Sequence, residues 1–125
     1  MPEKTIPKRL DETAIAARLQ HDLPKWAREG DSLVRTYRTS GWKATLMVVN
    51  AIGHLAEAAW HHPDLSVHYS RVQVSLSTHD AKGITTLDFA LAAEIERLIT
   101  WRPGADDGGL PGTPNVPEAA YILPD

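Results

Sequence analysis

At 125 residues, with 42% hydrophobic and 23% charged side chains, the chain is long enough for one domain and apolar enough for one modest core. A net charge of −3 without any basic stripe argues against nucleic-acid binding, and the lack of cysteine excludes disulfides, thiolate catalysis and cysteine zinc sites. No stretch is apolar and long enough to span a bilayer, and the charged start (Glu3, Lys4, Lys8, Arg9, with Pro2 and Pro7) is unlike a secretory signal, so a cytoplasmic protein with no membrane partner is expected.

Residues 1–9 read as a frayed arm. The first helix is predicted from Leu10, with Leu10, Ile15 and Leu19 on one side, Asp11 and Glu12 where the helix dipole favours negative charge, and its end before Pro24. Trp26 to Arg38 reads as two short strands joined at Gly30-Asp31. A central helix is predicted from Gly41 and Trp42 to about His62, with Thr45, Val48, Ile52, Leu55 and Ala59 facing the core. Along it Asn50, His54, Glu57 and His61 form one polar stripe, the expected wall of a wet cleft. Pro63 disfavours the helical conformation at His62, which predicts the exit there and turns His61 and His62 apart.

Strands follow over Ser66 to Tyr69 and Val72 to Thr78; alternation puts Val72, Val74, Leu76 and Thr78 on one face and Gln73, Ser75, Ser77 and His79 on the other. His79 is therefore expected at the strand's polar end. The third helix opens at Thr85, a capping residue with Asp88 reaching back, and Leu87, Leu91, Ile95 and Leu98 are its expected buried stripe. The element order predicts an α+β fold, a four-stranded antiparallel sheet with helices packed on one face (α-β-β-α-β-β-α).

Charge and composition divide the chain at residue 102. All 13 Lys and Arg precede that point beside 12 acids, whereas residues 103–125 carry four acids, no base, and nine Pro or Gly. A domain over 1–102 and a Pro/Gly-rich acidic tail over 103–125 are expected. Within the tail only Ala119 to Leu123 is apolar enough to dock, either on its own body or on another chain, where it would meet a protein partner.

Three imidazoles, His61, His62 and His79, are the strongest candidates for chemistry, since this side chain gives and takes protons near neutral pH. The spacing Glu57-x3-His61-His62-Pro63-x5-Tyr69-x9-His79-x8-Asp88 resembles the signature of the pterin-4a-carbinolamine dehydratases, and Leu76-Ser77-Thr78-His79 looks like their second signature segment. The resemblance implies a hydro-lyase of tetrahydrobiopterin recycling that converts a 4a-hydroxytetrahydropterin to the quinonoid dihydropterin. It implies His61, His62 and His79 as catalytic residues, with Glu57, Trp60, Pro63, Ser77, Thr78 and Asp88 around the pterin. It also implies a homotetramer or homodimer, with no metal and no cofactor beyond the pterin itself.

Two departures bear on the pocket. Leu65 stands where many members have an aromatic, and Tyr37-Arg38-Thr39 with Gly41 replaces an aromatic pair and an acid before the central helix. Trp60 is the candidate to wall the pterin ring instead. The alternative function is a non-catalytic assembly or dimerisation partner, such as a Rubisco assembly factor. A zinc site is a further alternative, because three imidazoles can hold that metal, although His-x3-His spacing on a helix is missing. The plainest alternative is a surface pair of histidines and a strand-end imidazole.

Overall fold

The computed structural model describes residues 5–125, so the expected arm over residues 1–9 lies partly outside the described residues. Helix α1 spans Glu12–Asp22, later than Leu10, because Asp11 takes an extended N-cap conformation (φ −81°, ψ 170°); the Leu10 N–H before it donates to the Ile84 carbonyl at 2.8 Å. Asp11 caps it, accepting from the Ala14 N–H at 2.8 Å. Strands β1 (Ala27–Glu29) and β2 (Ser32–Arg38) form the expected hairpin, turning at Gly30 with φ 59°. Helix α2 (Trp42–Ala59), β3 (Asp64–His68), β4 (Arg71–Leu76) and α3 (Thr86–Ile99) complete the order. The sheet is antiparallel throughout, in the order β1-β2-β4-β3. Ile15, Ile52, Phe89, Ala92 and Ile95 from the helices meet Leu33, Val72, Val74 and Leu76 from the sheet in one core. No helix among the described residues is long and apolar enough to cross a membrane.

Both long helices differ from expectation in ways that matter for the site. Helix α2 stops at Ala59, where Trp60 takes a left-handed conformation (φ 53°, ψ 45°) and donates its N–H to Ala56 and Glu57 carbonyls. The helix thus ends before Pro63 can act. His61 lies beyond it, and the four-residue polar stripe does not form; Asn50 and His54 face solvent. Its buried face is Ala44, Thr45, Val48, Ile52 and Ala56, with Leu55 half-buried and Ala59 exposed.

Helix α3 buries Asp88, Phe89, Leu91, Ala92, Ile95 and Ile99, leaving Leu87 and Leu98 42% and 46% exposed. The cause is Asp88. It is drawn inward by hydrogen bonds, rotating the helix by one residue relative to a purely apolar stripe.

The tail returns to the body. Leu123 donates its N–H to the Arg38 carbonyl at 2.9 Å, Ser40 donates to the Tyr121 carbonyl at 3.1 Å, and Ile122 packs on the core. Ala119 to Leu123 therefore reaches its own sheet, beside the end of β2. Beyond it, Asp125 accepts from the Arg35 guanidinium at 2.6 Å, and Glu96 accepts from the other side at 2.8 Å. Glu96 Oε1 also accepts from Tyr37 at 2.8 Å and Trp26 at 2.9 Å. Burial alone would raise the Glu96 carboxyl, yet hydrogen bonds from Arg35, Tyr37 and Trp26 hold it below the usual range. Burial works against the Arg35 charge as well, and its bonds to Glu96 and Asp125 prevail, raising its affinity for the proton.

Candidate active site

Because α2 ends early, the segment Trp60 to Pro63 crosses over the start of α3. His61 donates its backbone N–H to the Ala56 carbonyl at 3.2 Å, and its Nε2 lies 2.6 Å from Asp88 Oδ1. Asp88 is fully buried, with 0% exposure. A carboxylate so placed is tolerable only with its oxygens satisfied. Here Oδ2 accepts from the Thr78 hydroxyl and the Thr85 N–H, both at 2.8 Å. Thr85 accepts from the Leu87 N–H in turn, closing the capping box. One side chain thus caps α3, holds the end of β4 and aims an imidazole.

His62 points elsewhere. Its Nε2 meets Glu57 Oε1 at 2.7 Å, with both side chains well exposed, so the pair adds little to stability. The Trp60 ring meets the His62 ring edge-on, with centroids 5.0 Å apart and planes at 82°. His79 is not at the strand's end: β4 finishes at Leu76, and His79 opens a short 3₁₀ turn, His79–Ala81. The turn forms because Thr78 pairs with Gly83, its N–H donating to the Gly83 carbonyl at 2.9 Å, while Lys82 adopts a left-handed φ of 57°. His79 is thereby exposed.

These segments enclose a cleft of about 920 Å³. Trp60, His61, His62, Pro63, Ser77, Thr78 and His79 line it, all from the motif or its flanks. Glu57 and Asp88 do not; they stand behind His62 and His61. Five further lining residues escaped the sequence reading: Thr5, Ile6, Asp64, Asp80 and Leu87. Asp64 and Asp80 directly follow motif residues, a signal that could have found them. Leu87 was hidden by its place in an apolar stripe, and nothing local marks Thr5 and Ile6.

Leu65 packs on the core, whereas Trp60 is 69% exposed at the cleft. Tyr69, although part of the spacing pattern, lies outside the cleft: a Cβ at Gly41, which precedes α2, would meet its hydroxyl at 3.3 Å. Among the described residues no three His, Asp or Glu side chains are grouped so as to hold a metal ion.

Residues 8–98 match the profile of the pterin 4 alpha carbinolamine dehydratase family. Relatives carrying the provisional name pterin-4-alpha-carbinolamine dehydratase include one from Thermomicrobium roseum, 47% identical over 74% of this chain and 98% of its own. Another, from Aquifex aeolicus, is 44% identical over 74% of this chain and 92% of its own. A crystal structure of a transcriptional coactivator/pterin dehydratase from Brucella melitensis superposes with a TM-score of 0.68 at 25% identity, covering 75% of this chain and all of that one. A pterin dehydratase-like protein described as a RuBisCO assembly factor in the alpha-carboxysome shares the fold, with a TM-score of 0.53 at 19% identity over 61% of this chain and 90% of its own. The fold these share is an α+β sheet with helices, here with three imidazoles lining one cleft. The chain belongs to the pterin 4 alpha carbinolamine dehydratase family.

Proposed function

We propose that this protein dehydrates a 4a-hydroxytetrahydropterin to the quinonoid dihydropterin. One observation carries the reading: two imidazoles from different elements, His61 held by buried Asp88 and His79 exposed on the 3₁₀ turn, line the same cleft. The reaction breaks the C4a–O bond, forms the N5=C4a bond and releases water, so one group must protonate the leaving hydroxyl while another takes the N5 proton. His61, held at Nε2 by Asp88, and His79 on the 3₁₀ turn are the acid and base pair. His62, steadied by Glu57 and Trp60, positions the pterin; Pro63, Ser77 and Thr78 contribute the remaining polar and backbone wall. The pterin itself is the only small molecule this chemistry requires. The exposed apolar residues Trp42, Leu46 and Met47 on α2 support assembly as a homodimer or homotetramer.

Turnover of the carbinolamine by purified protein tests the reading directly. His61→Ala and His79→Ala are each expected to lower it ~10²- to 10⁴-fold, the usual worth of a general acid or base, with circular dichroism unchanged. Wild-type turnover in both variants would refute the assignment.

The second reading is a non-catalytic assembly or dimerisation partner. It is favoured by the names of the two solved neighbours, one a coactivator/pterin dehydratase and one a RuBisCO assembly factor. Against it stands the His61–Asp88 pair, which an assembly surface does not need.

A further inference from the structure

Thr5 and Ile6, the first described residues, belong to the cleft. They line it together with the histidines, and both precede the family-matched span, which begins at residue 8. Two contacts direct the arm there. Leu10 donates its N–H to the Ile84 carbonyl at 2.8 Å, fixing the chain beside the loop that follows His79. Arg9 then lies across Gly83, where a Cβ would overlap its Cδ, and its guanidinium donates to the Lys82 carbonyl at 3.4 Å. Gly83 leaves space for that crossing.

The cleft's apolar surface is unusual in being left uncovered. Ile6, Trp60 and Leu87 come from three separate parts of the chain, line the one cleft and remain 48%, 69% and 42% exposed. A flat heterocycle presents polar edges to hydrogen-bonding groups and two apolar faces that gain from contact with such side chains. The histidines and Ser77 supply the polar groups, the Thr78 hydroxyl being committed to Asp88 and Thr85; Ile6, Trp60 and Leu87 supply the apolar contact.

We infer that Ile6, carried by the Arg9-anchored arm, is a substrate-binding residue that covers the pterin ring together with Trp60 and Leu87. This rests on the dehydratase reading for the identity of the ligand, but it assigns Ile6 a binding role and no part in proton transfer. Removing Ile6 should weaken ground state and transition state alike, which raises KM and leaves kcat unchanged.

The test is Ile6→Ser in the full chain, with steady-state dehydration kinetics and calorimetric titration by 7,8-dihydrobiopterin. Both KM and the dissociation constant are expected to rise roughly fivefold, the scale of losing half a buried aliphatic side chain, with kcat and melting temperature unmoved. Ile6→Leu should restore the wild-type constants. Arg9→Ala, which frees the arm without altering Ile6, should shift both constants in the same direction. Constants within error of wild type in Ile6→Ser would overturn the inference even if the enzyme is active. A fall in kcat at unchanged KM would overturn it too. If wild-type protein binds dihydrobiopterin but does not dehydrate the carbinolamine, the catalytic reading fails and the titration still decides the role of Ile6. Wild-type protein that binds no pterin would overturn both.

Discussion

Asp88 and His61 lie 27 residues apart in sequence and 2.6 Å apart in space, the carboxylate wholly buried and the imidazole at the cleft. The carboxylate also caps α3, so the proposed chemistry and the folding meet in one side chain. Asp88→Asn keeps the volume but replaces one acceptor oxygen by a donor, facing donors on both sides. It is expected to lower kcat about a hundredfold through misplacement of the ring, with little change in KM. The weakened cap should also cost about 1 to 2 kcal/mol of stability. Turnover and urea unfolding on the same preparation check both effects; a stable variant with full kcat would show that His61 needs no anchor.

Trp60 combines a left-handed backbone with an exposed ring. Such a conformation costs a non-glycine residue on the order of 1 kcal/mol, retained here beside the proposed site. Trp60→Gly should therefore fold at least as stably as wild type while binding dihydrobiopterin several-fold more weakly, whereas Trp60→Phe should recover most of the affinity. Loss of stability in the glycine variant would mean that the ring's contact with His62 outweighs the backbone strain.

Residues 103–125 do not line the cleft, but Ile122 rests on the core and Asp125 on Arg35. Truncation after Arg102 should leave turnover within about twofold and lower stability by roughly 1 to 3 kcal/mol. The Asp125 contribution is the smaller part, since its carboxylate is 36% exposed and screened by solvent. Thermal melts beside kinetics separate the two effects. A folded, truncated protein without turnover would show that the tail supports the site.

Glu96 is held below its ordinary range in the folded state, by hydrogen bonds that outweigh burial. A carboxylate depressed in this way adds stability above its unfolded pKa and loses it as pH falls through the folded value. The stabilisation should therefore be complete at neutral pH and decline below about pH 4. Glu96→Gln should cost about 2 to 3 kcal/mol near pH 7, and the gap from wild type should narrow in acid. Asp125, also lowered, chiefly by its bond to Arg35, leaves a residual slope in the variant. Urea unfolding at pH 7 and pH 3 measures the difference; a gap that widens in acid would reverse the sign.

What the sequence determined by itself was whatever depends on local periodicity, turn chemistry and fixed spacing. The hairpin at Gly30, the capping box of Thr85 and Asp88, the alternation of Val72, Val74 and Leu76, and the spacing of His61, His62, Pro63 and His79 are all short-range patterns. Tertiary structure decided the rest, because it depended on which distant groups satisfy one another. Asp88 turned inward to Thr78 and His61, which rotated α3 and put Leu87 in the cleft. Arg35 found Glu96 and Asp125, at separations of 61 and 90 residues, and thereby fixed where the tail ends up. Trp60 ended α2 through its own backbone conformation before Pro63 could, and Arg9 crossing Gly83 brought Ile6 to the site. Apart from Trp60, whose cap bonds reach back only to Ala56 and Glu57, none of these partners lies within a helical turn or a strand repeat of the other, so no local pattern could announce them.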